Sequence, residues 1–334
     1  DSGGSSAKLR QAFEMPAIGD LRSRMMALAD ETITGHPEVY RLFTYRLPVD
    51  KTQKVLRQQL ADMADGKNPR VMDISNPMRR LIRNLLGYFI DQMPDDFDLR
   101  GASIGNLVLA GGYLNNHRHL DPIIFLFSKL VSVQGTVRAI VNSNLHLVAE
   151  LENGDTIIGQ HRLTGKEVGP IKSPVKRLAY SSHPDSKEPA TAAIRKKVRK
   201  LICSADLICF PPGSFYSSLI ANLLPEGVCE AIATNENPKV FIPNLGTDPE
   251  QFGMSLKDTL NTLLNYLQQG VPDAAPNQLL NFLLIDSRNG SYSDAVPGNL
   301  KKKGIEVIDT ELITPESAPY YDPVQLTNTL LSLT

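Results

Sequence analysis

The chain has no tryptophan, and aromatic residues make up only 6% of it, which argues against a stacked, aromatic-walled acceptor site. Cysteine is scarce too. Cys203, Cys209 and Cys229 form no CxxC pair, so neither a disulfide framework nor a thiolate zinc site organises the fold, and a reducing compartment is implied. They read as small buried hydrophobes. No apolar run approaches the roughly 18 residues of a membrane span and no signal peptide is recognisable, so the expectation is a cytoplasmic protein without a membrane partner. An excess of one charge is also missing. Lys+Arg total 35 against 36 Asp+Glu, with a pI near 6.7, which removes the bulk electrostatic argument for nucleic acid. The chain opens without methionine, at Asp1 of DSGGSSAKLR, directly in a turn-like glycine and serine cluster, so an upstream segment is expected to have been cut away or left out.

What is present suits a globular chain: 334 residues, 42% hydrophobic and 21% charged, enough for one large or two ordinary domains. From residue 20 to about 95 the pattern is helical. Leu21, Met25 and Leu28 share one face, Leu56, Leu60 and Met63 another, and Met78, Leu81, Ile82, Leu85, Phe89 and Ile90 a third, behind Asn76 as cap and Pro77 in the first turn. Arg79, Arg80 and Arg83 on that helix read as a solvated face. GASIGNLVLAGGYL and DPIIFLFSKLV continue as helices.

Between residues 136 and 163 the period changes to that of strands, with TVRAIV, LHLVAEL and TIIGQHRL, and Asn153-Gly154 predicts a hairpin between the last two. Thereafter strands VKRLAYS, DLICF, KVFIPN, NFLLID and IEVID alternate with helices beginning at TAAIRKK, SFYSSLIANLL, SLKDTLN and PVQLTNT. Short apolar strands between amphipathic helices predict an α/β fold, doubly wound, with a mostly parallel sheet, helices on both faces and a small β-hairpin insertion. The polar segment SSHPDSKEPAT reads as a mobile loop within one domain spanning 1–334.

In such a sheet ligands bind beyond the carboxyl ends of the strands. The DLICF to PPGSFYSS junction is such a place. Gly213 permits positive φ, Pro212 stiffens the entry, and Ser214 can cap the helix. Its first amides with the hydroxyls of Ser214, Ser217 and Ser218 could cradle a phosphate, or the junction is a plain capped turn. A second candidate is the start of the chain, where Gly3 and Gly4 could form an amide nest with Ser5, Ser6 and Arg10. Asp20 and Arg22 open a helix, with Asp20 as its cap or as a ligand-facing acid. Asn142 and Asn144 sit at a strand end with amides that both donate and accept.

Other motifs fail on inspection. GQHRLTGKE has one residue too many between its glycines for a phosphate loop, and Glu167 stands where Ser or Thr is required. GASIG around Ser103 lacks the buried strand that a nucleophile elbow needs. His117 and His119 have no zinc-spaced partners, so neither zinc, haem nor flavin is expected.

Taken in order, DSGGSSAKLR, PAIGDLRSRMMALAD, SIGNLVLA, NSNLHLVAELENGDTIIGQ and ADLICFPPGSFYSSLIANLL resemble the CofD/YvcK family from residue 1 to about 250. The resemblance implies a Rossmann-like domain that binds a nucleotide diphosphate or nucleotide sugar. One branch of the family resembles 2-phospho-L-lactate transferase, moving a phospholactyl or phosphoenolpyruvyl group from a nucleotide-linked donor with Mg²⁺. The other, YvcK-type, branch binds UDP-sugars as a regulator of metabolism and cell shape, and the motif wording is nearer to it. By this resemblance Gly3, Gly4, Ser5, Ser6, Arg10, Gly213, Ser214, Tyr216 and Ser217 face the ligand, with Asp20, Asn106 and Asn144 nearby. Asp1 and Asp20 are the acids for a metal or a base in the transferase reading. The family's first strand and glycine-rich loop are not in this sequence, Ser2 and Ala102 replace an expected Asp and His, and Pro211 replaces a glycine. A homodimer is the assembly that the resemblance implies.

Overall fold

The run from Ile104 to Tyr113 is buried on every side, which an α-helix tolerates only at the centre of a helical bundle. A computed structural model describes residues 4–165, 169–292, 298 and 300–334 and divides the chain into two compact units, Asp1–Asn144 and Leu145–Thr334.

In the first unit the described residues form helices α1 (Gly4–Phe13), α2 (Gly19–Ala27), α3 (Pro37–Thr44), α4 (Gln53–Ala64), α5 (Pro69–Met72), α6 (Met78–Gln92), α7 (Ile104–Asn115) and α8 (Leu120–Leu130). The predicted apolar faces are the ones that pack: Leu56, Leu60 and Met63 from α4, and Ile82, Leu85 and Phe89 from α6. Leu28 and Leu81 are exposed instead. α6 and α7 cross closely because Gly111 has no side chain; a Cβ there would lie 2.1 Å from the Leu85 carbonyl oxygen. Phe89 fills the core edge-on to Phe13 and Phe97, with ring centroids 5.8 and 5.6 Å away. α6 starts one residue later than the sequence suggested, with Pro77 rather than Asn76 at its cap position. Arg83 is not simply solvated: its Nε donates to the Ala64 carbonyl at the end of α4 at 2.8 Å.

The second unit holds two four-stranded sheets. β1 (His146–Leu151) and β2 (Thr156–Ile158) form the hairpin predicted at Asn153-Gly154. β3 (Val175–Ser181) and β4 (Pro189–Ala190) complete an antiparallel sheet in the order β2-β1-β3-β4. VKRLAYS therefore pairs with the hairpin and not with the parallel strands. Part of the segment read as a mobile loop is the short strand β4, and 136–141 carries no strand. TIIGQHRL breaks after β2 into the short helix α9 (Gln160–Leu163).

The α/β pattern holds from there on. Helix α10 (Lys196–Cys203) leads to β5 (Ile208–Phe210), α11 (Val228–Thr234) to β6 (Lys239–Phe241), and α12 (Leu256–Gln269) with α13 (Pro276–Leu279) to β7 (Phe282–Ile285). β8 (Glu306–Asp309) and α14 (Pro323–Leu331) follow. These strands form a parallel sheet in the order β5-β6-β7-β8. α12 starts where Ser255 and Asp258 make a reciprocal capping box, which satisfies two otherwise unpaired amides. Leu326 and Leu330 of α14 pack on Val240, Ile242 and Leu284 of the sheet. Among the described residues no helix is long and apolar enough to cross a membrane.

Candidate functional site

The parallel strands end in four loops, and their carboxylates organise them. After β5 the chain runs Pro211-Pro212-Gly213-Ser214 into a wide π-helical turn, Phe215–Leu219, followed by a 3₁₀ turn, Ile220–Asn222. The sequence predicted an α-helix here with Ser214 as its cap. Ser214 makes no capping bond, because side chains from the loop after β6 take the amides first. The N–H of Phe215 donates to Asp248 Oδ2 at 2.7 Å. Those of Tyr216 and Ser217 donate to Glu250 Oε2 at 2.9 and 2.8 Å, and Ser217 Oγ donates to Glu250 Oε1 at 2.5 Å. The Gly213 N–H is held by Asn244 Oδ1 at 2.7 Å, while Asn244 Nδ2 donates back to the Gly213 carbonyl at 2.8 Å.

The predicted phosphate cradle is thus largely filled by the protein itself. Glu250 is only 1% exposed, and this burial pushes its carboxyl above the ordinary range against the pull of the Ser217 and Tyr216 donors. Tyr216 and Ser217 do not face open space. Tyr216 is buried in the core with its hydroxyl donating to the Val175 carbonyl at 3.2 Å, and that burial raises its pKa. Gly213 alone keeps its predicted role in the backbone: its φ of 152° suits glycine, and a Cβ there would meet nothing within 4 Å.

A cleft of about 500 Å³ opens at these loops, lined by Pro212, Gly213 and Ser214, by Asn244 to Pro249, and by Tyr320, Tyr321 and Leu326. A smaller one, about 340 Å³, lies across the Asn244–Asp248 segment against Gln251, Thr259, Ser291 and Tyr292. The loops after β7 and β8 are joined by Asp286. Its burial opposes the charge, but amides of Leu312, Asn289 and Ile313 outweigh it and hold the carboxyl below the ordinary range. The Tyr321 hydroxyl donates to the Pro243 carbonyl at 2.9 Å. Sequence reading missed Asn244, Asp248, Glu250, Asp286 and Tyr320. Asp248 before Pro249 carried a readable sign, an acidic cap ahead of a first-turn proline. Glu250 carried none.

In the helical unit the predicted residues fall into two groups. Arg10, 8% exposed, donates from Nε and Nη2 to Asn144 Oδ1 at 3.1 and 2.7 Å; burial lowers its pKa to about 10. Asn142 Nδ2 donates to the Arg118 carbonyl at 3.3 Å, and its Oδ1 is buried without a hydrogen-bond partner among the described residues. Arg22 lies against Gly105 at the start of α7, beside buried Asn106. Burial and then the neighbouring Arg46 lower the Arg22 pKa, and its Nε has no hydrogen-bond partner among the described residues. Arg46 is a cation of this group that the sequence did not suggest.

The opening segment differs from the expected nest. Gly4, Ser5 and Ser6 begin helix α1, and Ser6, buried, accepts from the Ile18 N–H at 3.3 Å. Lys8 Nζ anchors the same helix to Asp98 Oδ2 at 2.8 Å. Asp20 occupies the first turn of α2, where Ile18 holds the cap position. Asp1, Ser2 and Gly3, and Lys166 and Glu167 of GQHRLTGKE, lie outside the described residues. Ser103 precedes α7 and donates to the Phe43 carbonyl at 3.3 Å, as a helix-starting residue does. Among the described residues no three His, Cys, Asp or Glu side chains converge as a metal site.

Comparison with known proteins accords with this architecture. A solved structure of a UPF0052 family member from Bacillus halodurans is similar with a TM-score of 0.69 at 21% identity, over 99% of this chain and 89% of that one. The gluconeogenesis factor of Bacillus subtilis is 26% identical over 322 residues, covering 94% of this chain and 81% of its own. That of Halalkalibacterium halodurans is 27% identical over 276 residues, 82% of this chain and 66% of its own. The family described as 2-phospho-L-lactate transferase CofD matches residues 1–313, and the chain belongs to it.

Proposed function

We propose that the chain binds a nucleotide sugar, of the UDP-sugar class, in the 500 Å³ cleft at the ends of β5 and β6, and acts as a metabolic regulator like the gluconeogenesis factors it is similar to. The observation that carries this reading is the lining of the cleft. Its described lining holds the hydroxyls of Ser214 and Thr247, the exposed ring of Tyr320 and the edge of Tyr321, with no cation and one acid, Asp248. Neutral donors and acceptors beside aromatic surface suit sugar and base better than a bare phosphate. A diphosphate in this cleft would have its charge balanced by an accompanying cation rather than by a lysine or arginine of the described lining. Mg²⁺ would find one carboxylate here, Asp248, which already accepts from the Phe215 and Glu250 amides, so the protein builds no dedicated site for the ion and most of its ligands would be phosphate and water.

A second reading, transfer of a phospholactyl-type group from a nucleotide-linked donor, is favoured by the family match over residues 1–313. In that reading Asp20, in the first turn of α2, is the one of the two acids that lies among the described residues. The discriminating experiment is calorimetry with UDP, UDP-N-acetylglucosamine and GDP, with and without Mg²⁺, followed by incubation of the bound donor with a deazaflavin acceptor. Saturable UDP-sugar binding without turnover supports the regulator; turnover supports the transferase. A Gly246→Leu variant tests the site, because Gly246 lines the cleft and a Cβ there meets nothing within 4 Å, so the change is tolerated by the fold. It abolishes binding if the cleft is the site. Unchanged binding in that variant removes the cleft from consideration.

A further inference from the structure

We infer that Tyr320 is the platform on which the planar base of the ligand stacks, an inference that rests on the nucleotide reading of the cleft. Tyr320 is 74% exposed, yet nothing about its backbone is loose. Its N–H donates to the Ser317 carbonyl at 2.9 Å, and its own carbonyl accepts from Ser317 Oγ at 2.9 Å. On either side, Ser317 and Thr314 exchange bonds within the turn, and the Asp322 N–H donates to the Leu312 carbonyl at 2.7 Å. Asp322 then caps α14 by accepting from the Val324 and Gln325 amides.

The neighbouring Tyr321 behaves in the ordinary way. Its ring packs with the sheet residues and its hydroxyl is spent on Pro243. Tyr320 is therefore a large ring, held by a hydrogen-bonded turn and exposed to water, among the residues that line the cleft with Gly213 and Ser214. Single exposed rings are common on protein surfaces; Tyr320 differs in lining a cleft from a hydrogen-bonded turn. Every nucleobase has a π-face, and stacking on an aromatic side chain tolerates any base. A platform of this kind recognises that a base is present without choosing which one.

The experiment uses the whole chain and the fact that it contains no tryptophan. Tyr320→Trp places a single indole at the lip, and titration with UDP and with GDP quenches its fluorescence, whereas inorganic pyrophosphate and glucose 1-phosphate leave it unchanged. Calorimetry on the unaltered protein, Tyr320→Phe and Tyr320→Ala gives the energetic counterpart. Tyr320→Phe binds UDP as the unaltered protein does, and Tyr320→Ala weakens UDP and GDP about tenfold. If UDP binds the unaltered protein and Tyr320→Ala alike, and the indole is not quenched, the stacking role is overturned while the nucleotide reading stands. If neither nucleotide binds the unaltered protein, both fall.

Discussion

The helical unit and the α/β unit each contain residues that the sequence marked for anion binding, and they treat them in opposite ways. In the helical unit the marked side chains are cations set among neutral or like-charged neighbours: Arg10 donates to the amide of Asn144, and Arg22 lies near another cation, Arg46. In the α/β unit the marked groups are backbone donors, and carboxylates of the same unit already hold them. A guanidinium buried in such surroundings is desolvated, which lowers its pKa. An amide is satisfied by any acceptor that folding brings within 3 Å, and a protein interior rarely leaves one unpaired. The contrast teaches that an empty-looking helix start in a sequence is a weak sign of a ligand, because the fold has many ways to fill it.

That contrast is breakable, most severely at Glu250. Removing the side chain with Glu250→Ala leaves two buried amides and a hydroxyl without acceptors, and urea denaturation is expected to register a loss of about 3–5 kcal/mol. Its raised pKa gives a second signature. Between the ordinary carboxyl range and the raised value, the folded protein keeps a proton that the unfolded chain has released, so stability falls as pH rises through that window. Glu250→Gln should flatten this slope in melts taken at successive pH values; an unchanged slope would show that Glu250 titrates normally.

The helical unit has its own sensitive position, which has nothing to do with charge. Gly111→Ala is expected to cost about 3 kcal/mol, because the new methyl group meets the Leu85 carbonyl and the two helices must part. Circular dichroism through a thermal ramp would register it as an early loss of helix. Asn144→Ala should cost less, about 1.5 kcal/mol, the worth of one acceptor to a cation. If Asn144→Ala proves neutral, solvent replaces the amide and Arg10 is less confined than its burial indicates. Smallest of all is Tyr320→Ala, within about 0.5 kcal/mol in chemical denaturation, since the ring touches mainly water. A large loss there would mean that the ring supports the fold.

Sequence reading succeeded where the governing interactions are local. Asn153-Gly154 gave the hairpin, and Leu56, Leu60 and Met63 identified the buried face of α4. At the candidate site it recognised the need for glycine at 213, but named Tyr216 and Ser217 as ligand-facing, whereas both are buried. It placed VKRLAYS among the parallel strands, whereas this half-exposed strand pairs antiparallel with β1 and β4, a choice made by which segments meet rather than by its own pattern.

What the chain determines by itself is therefore its alternation of helix and strand, its turn at Gly213 and the faces that seek burial, all fixed by neighbours within a few positions. Tertiary structure alone decided that Glu250 would meet the amides of Tyr216 and Ser217, 34 and 33 residues away, and that Tyr320 would stand at the rim of the same cleft. Hydrogen-bond partners of buried groups are chosen by which segments pack together, and no local period records that choice.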